Sequence, residues 1–251
     1  MDLTGNTILV TGGTSGIGRA LAERFHALGN QVIISGRRQA LLEEVTARHP
    51  GMRGIAVDMD DAAALARFAA RVREEFPRLN VLVNNAGILR TEDYTVDEVD
   101  VGGALAMVQT NIVSVLQLTA ALLPLLRQQP KATLMATSSG LAFVPRAIWP
   151  TYCASKAFIH SWLQSLRFQL RASSVEVLEL APPYVQTEVS GAQQLTDPRA
   201  MPLADYVQEV MQLLADPNPP QGEILVQRVQ PLRWAERAGE YEARYAALNA
   251  L

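Results

Sequence analysis

Short β-branched apolar runs alternate with helix-period stretches from the start of the chain, and this rhythm restricts the fold more than any other feature. Residues 7–10, 31–35, 54–57, 81–83, 131–137, 175–180 and 223–226 read as strands. Between them, residues 19–28, 40–48, 62–76, 101–126 and 152–171 read as helices. Strands separated by whole helices pair in parallel, because such a crossover needs a dozen or more residues. The pattern predicts a single-domain α/β fold, a doubly wound parallel seven-stranded sheet with helices on both faces. The 251 residues, 49% of them hydrophobic, suffice for one large core. No linker or repeat interrupts the chain; Pro182-Pro183 and residues 216–220 read as short loops, residues 184–222 as a variable substrate lid, and residues 231–251 as a C-terminal helical extension.

Charge and composition remove several classes of function. A net charge of −3 with scattered arginines offers no footprint for nucleic acid. One cysteine and three histidines give no disulfide and no metal-ligand spacing, which fits a metal-free protein of the reducing cytoplasm. The opening Met1-Asp2-Leu3-Thr4-Gly5 lacks a secretory pattern, and residues 102–126, interrupted by Gln109, Asn111, Gln117 and Pro124, read as a buried helix rather than a membrane span.

The first strand runs into Thr11-Gly12-Gly13-Thr14-Ser15-Gly16-Ile17-Gly18, which opens the first helix. A dinucleotide pyrophosphate binds at such a junction in a Rossmann fold: free N–H groups and the helix dipole attract the phosphates, and missing β-carbons admit them. Gly12, Thr14, Ser15, Gly16, Ile17 and Gly18 are therefore candidate cofactor residues. No Lys-Ser/Thr follows the glycines, so a P-loop is excluded. At the end of the second strand the chain reads Ser35-Gly36-Arg37-Arg38, with no carboxylate to hold the ribose hydroxyls and repel a 2′-phosphate. Arg37 and Arg38 favour NADP(H) over NAD(H).

Tyr152 and Lys156 stand four apart at the start of a predicted helix and so share a face. A phenol of pKa about 10 needs roughly 4 kcal/mol of phenolate stabilisation to titrate near neutrality. One ammonium about 4 Å away supplies an effect of that order at an effective dielectric of 20. Lys156 is one of only two lysines beside twenty arginines. Tyr152 is thus expected to be the acid/base, with Lys156 lowering its pKa.

Taken together, Thr11-Gly12-x-x-x-Gly16-x-Gly18, Asn84-Asn85-Ala86-Gly87, Asn111, Ser139 and Tyr152-x-x-x-Lys156 resemble the short-chain dehydrogenase/reductase family over nearly the whole chain. Between Thr4-Gly5-Asn6-Thr7 and Ala181-Pro182-Pro183 the chain looks most like the DltE-like subgroup. The resemblance implies that Ser139 hydrogen-bonds a substrate carbonyl, Tyr152 donates the proton, Lys156 holds the nicotinamide ribose, and Asn111 positions a water. Ser138 is the neighbouring alternative, since only one of the two can face the site. Further cofactor contacts are implied for Asp58, Asn85, Ala86, Gly87, Pro182, Val185 and Thr187. Pro183 departs from the family's usual glycine. Leu89, Leu141, Phe143, Trp149 and Tyr184 follow strand ends and are expected to make an apolar pocket for a small to medium carbonyl or alcohol. Apolar helix faces around residues 101–126 and 158–170 predict a homodimer or homotetramer. Two other classes fit parts of the pattern: an NADP(H)-binding redox sensor without turnover, and a structural partner protein, against which the intact glycine turn counts.

Overall fold

The computed structural model describes residues 1–216 and 222–250. Its strands are β1 (Thr7–Thr11), β2 (Gln31–Gly36), β3 (Arg53–Ala56), β4 (Val81–Asn84), β5 (Ala132–Thr137), β6 (Val175–Leu180) and β7 (Glu223–Ile224). They form one seven-stranded sheet in the order β3-β2-β1-β4-β5-β6-β7, parallel throughout. Continuous apolar strands such as Ile8-Leu9-Val10 suit a sheet covered on both sides, and all three are fully buried.

Side chains alternate between two cores. Ile8 and Val10 join Phe25 of α1 (Gly16–Ala27), Leu42 of α2 (Gln39–Arg48) and Val210 of α7 (Leu203–Ala215) on one face. Leu9 joins Phe68 of α3 (Ala62–Glu75), Leu118 of α5 (Ser114–Gln128) and Leu163 of α6 (Pro150–Leu170) on the other. At the strands' N-terminal edge, Asn30 Oδ1 accepts from the Asn6 backbone N–H at 2.9 Å and Asn80 Oδ1 from that of Thr7 at 2.9 Å. These amides close that edge. The chain reverses its direction of travel across the sheet between β1 and β4, which opens a crevice at the opposite, C-terminal edge.

Two elements differ from the sequence expectation. β7 ends at Ile224 instead of residue 226, because the chain leaves the sheet for a 3₁₀ turn at Gln227–Val229. The helix expected over residues 101–126 is α4 (Gly102–Val108), a π-helical segment (Gln109–Val113) and α5 in succession. This run, Gly102–Gln128, is long and apolar enough to cross a membrane by length and composition. Met107, Leu118, Leu122 and Leu126 are nevertheless fully buried within the fold, so it is a core helix. Of the loop expected at residues 216–220, all but Asp216 lies outside the described residues.

The C-terminal extension forms α8 (Gln230–Arg233) and α9 (Tyr241–Asn249). Asn249 Oδ1 accepts from the Ala147 N–H at 2.6 Å, and its Nδ2 donates to the Pro145 carbonyl at 3.2 Å. The extension thus docks on the loop that leads into α6.

Candidate active site

The crevice is built where the turn after β1 meets the turn after β4. Thr11 Oγ1 accepts from the backbone N–H groups of Asn85 and Ala86, both at 3.0 Å, and Asn85 Nδ2 donates to the Thr11 carbonyl at 3.1 Å. The contact leaves no space for side chains. A Cβ on Gly18 would lie 2.3 Å from Asn85 Nδ2, and one on Gly12 2.9 Å from Ala86 Cα. Gly12, at φ 65°, also occupies the left-handed region that L-residues avoid. α1 begins at Gly16, so the N–H groups of its first turn have no partner inside the helix and offer an anion site.

A cleft of about 670 Å³ runs from this turn in both directions. Ser35, Arg37, Arg38 and Asp58 stand at one end; Gly12, Thr14, Ser15, Gly16 and Ile17 face Asn85, Ala86 and Gly87 in the middle; Ser139, Tyr152, Lys156, Pro182, Val185 and Thr187 stand at the other. Gly18 lies beneath the turn. The residues fit a dinucleotide: a phosphate-sized anion suits the helix start, and the Ser35 hydroxyl, buried with no hydrogen-bond partner, lines the cleft wall beside Arg37. Arg37 and Arg38 are both exposed there.

At the far end, α6 starts with Pro150 at its first position, where a missing N–H costs nothing, and carries Tyr152 and Lys156 on one face. The Ser139 hydroxyl lines the cleft together with Tyr152 and accepts from the Leu141 N–H at 3.1 Å. The Ser138 hydroxyl turns away, donating to Glu179 Oε1 at 2.5 Å. Lys156 Nζ donates to the Thr137 carbonyl at 2.8 Å and lies 5.6 Å from the Tyr152 ring centre. Asn111, in the π-helical segment, holds both backbone groups of Ile88 at 2.9 Å and donates to Ser155 Oγ at 3.2 Å. Both of its amide hydrogens are therefore engaged within the protein. Gly87 keeps the space beside it open: a Cβ there would sit 3.3 Å from Asn111 Oδ1 and 3.6 Å from Lys156 Nζ.

The electrostatics of the pair run opposite to the simple expectation. Burial pushes the Tyr152 phenol up to about 12, with the Ser139 hydroxyl opposing it, and burial brings the Lys156 ammonium down to about 8. Desolvation disfavours both charged forms, and the ammonium faces the ring and a carbonyl oxygen. One lysine does not bring this phenol to neutrality in the protein alone.

Of the expected substrate pocket, only Leu89 lines the cleft, beside Ile88, Arg90, Pro183 and Val189. Phe143 packs edge-on against His160 at 5.0 Å and under the Arg233 guanidinium at 4.9 Å. Trp149 is buried, donating to Thr91 Oγ1 at 3.2 Å, and Tyr184 donates to Asp197 Oδ2 at 3.2 Å. Leu141 stands on the 3₁₀ turn behind Ser139, away from the cleft wall. Sequence reading missed Gln194, buried at the cleft, whose Nε2 donates to Thr187 Oγ1 at 3.1 Å and to the Val185 carbonyl, pinning residues expected at the cofactor. It also missed Thr137, which acts through a backbone carbonyl that no residue type signals.

A doubly wound sheet with this crevice and this Ser-Tyr-Lys cluster defines an α/β oxidoreductase of the nicotinamide-binding kind. The short chain dehydrogenase family matches residues 6–197. An uncharacterized oxidoreductase, DltE, of Bacillus subtilis is 39% identical over 99% of this chain and 98% of its own length. Sulfoacetaldehyde reductase of Chromohalobacter salexigens is 34% identical over 72% of this chain and 73% of its own. Among solved structures, a short chain dehydrogenase from Burkholderia cenocepacia in complex with NADP superimposes with a TM-score of 0.83 over 99% of both chains at 24% identity, a likeness of fold. The chain belongs to the short-chain dehydrogenase family, in its DltE-like subgroup.

The buried lysine has a measurable consequence. Its fall from 10.5 to about 8 corresponds to on the order of 3 kcal/mol of cost for the folded ammonium. That cost is full below pH 8 and fades as pH rises from 8 to 10.5, where the unfolded chain holds the proton and the folded chain does not. Lys156→Met is expected to raise the melting temperature at pH 7 and to lose that advantage towards pH 10.5. A variant that is no more stable than the native protein at pH 7 contradicts the assignment.

Proposed function

We propose that this short-chain dehydrogenase is an NADP(H)-dependent oxidoreductase that interconverts the carbonyl and alcohol of a small to medium apolar substrate, with Tyr152 as acid/base. The observation that carries the reading is the convergence of Ser139, Tyr152 and Lys156 at the far end of a cleft whose other end holds Arg37. Bound in the cleft, the nicotinamide supplies or accepts the hydride. Ser139 Oγ–H is placed to donate to a substrate carbonyl oxygen, and Tyr152 Oη delivers the proton to that oxygen as the alcohol forms. Keeping the phenol protonated suits donation in the reductive direction; Lys156, held by Thr137, then stabilises the phenolate left behind. Arg37 offers a fork of donors to a 2′-phosphate, and the lining from Leu89, Ile88 and Pro183 supports an apolar substrate. Of the lid expected at residues 184–222, the stretch before α7 is tied at Val185 and Thr187 by Gln194 beside the cleft, whereas α7 itself packs in the core through Tyr206 and Val210.

A second reading, an NADP(H)-binding redox sensor without turnover, draws on the elevation of Tyr152 to about 12. Oxidation of NADPH with a panel of carbonyl compounds separates the two. Turnover is expected in the native protein, with a loss of about 100-fold or more in Tyr152→Phe and NADPH binding retained. Arg37→Ala is expected to weaken NADPH about tenfold or more while leaving NADH unchanged. Binding without turnover on any carbonyl favours the sensor, and equal affinity of the native protein for NADH and NADPH removes the cofactor assignment.

We also propose a cytoplasmic homodimer. Leu105 and Val108 of α4 and Phe158 of α6 remain 64%, 37% and 38% exposed, an apolar face that a second copy covers. Light scattering at micromolar concentration is expected to give twice the chain mass, and a monomer there contradicts the assembly.

A further inference from the structure

Behind Ser139, on the side away from the cleft, lies a cluster of charge that the proposed chemistry does not use. Glu179 of β6 and Glu223 of β7 stand opposite each other in the sheet register, 0% and 6% exposed. Two carboxylates side by side out of water are expensive unless each is paired. Arg233 forks onto Glu223, Nε to Oε2 at 2.6 Å and Nη2 to Oε1 at 3.0 Å. Glu179 accepts from Ser138 Oγ at 2.5 Å through Oε1 and from His160 Nδ1 at 2.8 Å through Oε2. Gln164 Nε2 lies 3.0 Å from His160 Nε2 and donates to it, so the ring proton sits on Nδ1, facing the carboxylate. Phe143 closes the histidine's flank, and Arg167, bound to the Val177 and Gly222 carbonyls, adds positive charge nearby.

His160, Glu179 and Glu223 bring their ligand atoms within 4.8 Å of one another, close enough to suggest a metal centre. The hydrogen bonds argue otherwise. Both oxygens of each carboxylate are already engaged, and the positive charge that the pair requires comes from Arg233 and Arg167.

We propose that His160 and Glu179 are positioning residues for Ser139, acting through Ser138. Successive residues at an extended strand end point to opposite sides. Ser139 is extended at φ −168° and ψ 157°. With Ser138 drawn towards Glu179, Ser139 is committed to the cleft side, where Tyr152 also stands. The same cluster reaches the C-terminal extension: Arg233 lies over Phe143, and a Cβ on Gly140 would meet Val229 at 2.9 Å and Leu232 at 3.0 Å. The turn that carries Ser139 is therefore gripped from the side opposite the cleft by β6, α6 and α8. A hydrophobic pair would fill this space at lower cost, and a cluster of paired charge placed directly behind the substrate-anchoring serine is explained by the need to orient it.

This inference rests on the reading of Ser139 and Tyr152 as the reacting pair. Its test is a double-mutant cycle on NADPH-dependent carbonyl reduction, with NADPH binding and melting temperature followed in parallel. Glu179→Gln and Ser138→Ala are each expected to lower kcat about 10- to 100-fold, the scale of a small misplacement in a reacting geometry, with NADPH affinity unchanged. In a Ser139→Ala background neither change is expected to cost anything further, because the group they orient is gone. His160→Asn, which keeps a donor near the Nδ1 position, is expected to retain more kcat than His160→Leu. Ser138→Ala leaves the buried charge pairs intact and so carries the test if Glu179→Gln fails to fold. Native kcat in Ser138→Ala, or a loss that persists undiminished in the Ser139→Ala background, overturns the proposal. Native turnover in Ser139→Ala alone removes the catalytic reading, and this one with it.

Discussion

The close approach of two backbone turns, one after β1 and one after β4, organises the rest of the molecule. Thr11 stitches them by accepting from two consecutive N–H groups, and glycine at positions 12 and 18 lets them meet without a side chain between them. That contact fixes where the sheet splits and where the first helix aims its free N–H groups. Everything polar at the C-terminal edge is arranged about it: the arginines beyond β2 on one side, and Ser139, Tyr152 and Lys156 beyond β5 on the other.

The chemistry at the far end depends on a balance between burial and pairing. Burial raises Tyr152 and lowers Lys156, so the protein by itself keeps both groups closer to neutral than an exposed ion pair would be. Tyr152 thereby keeps its proton, as the proposed role of donor requires. The lysine is tethered to a carbonyl rather than to a carboxylate, which on the proposed function leaves its charge available to a phenolate at Tyr152. Positive charge introduced with an oxidised nicotinamide would act in the same direction. The buried glutamates behind Ser139 follow the opposite strategy, with every oxygen paired, and serve geometry instead of proton transfer.

Much of this was legible in the sequence because its causes are local. Ile8-Leu9-Val10 reads as a strand buried on both faces, and residues 175–180 coincide with β6, because β-branched and aliphatic residues such as Val175, Val177, Leu178 and Leu180 close together between turn signals have few other fates. The glycine turn and the Tyr-Lys pair are local as well, since one needs a strand before it and a helix after it, and the other needs only one helical turn. What was hidden depends on partners distant in the chain. Phe143, Trp149 and Tyr184 stand where pocket residues are expected, yet His160, Thr91 and Asp197 draw them elsewhere. The π-helical segment around Asn111 inserts an extra residue into a run that is apolar on nearly every face, so no shift in periodicity marks it. The raised phenol was missed for the same reason: spacing locates the ammonium, and only tertiary burial sets the sign of the outcome.

The central claim is that the contact between these two turns makes the cleft a nicotinamide dinucleotide site. Replacing Gly18 tests it most directly, since an added Cβ would fall 2.3 Å from Asn85 Nδ2 and 2.4 Å from the Gly12 carbonyl. Fluorescence titration with NADPH is predicted to show saturable binding to the native protein and none to Gly18→Ala, with circular dichroism unchanged in form. Undiminished NADPH affinity in Gly18→Ala would contradict the account.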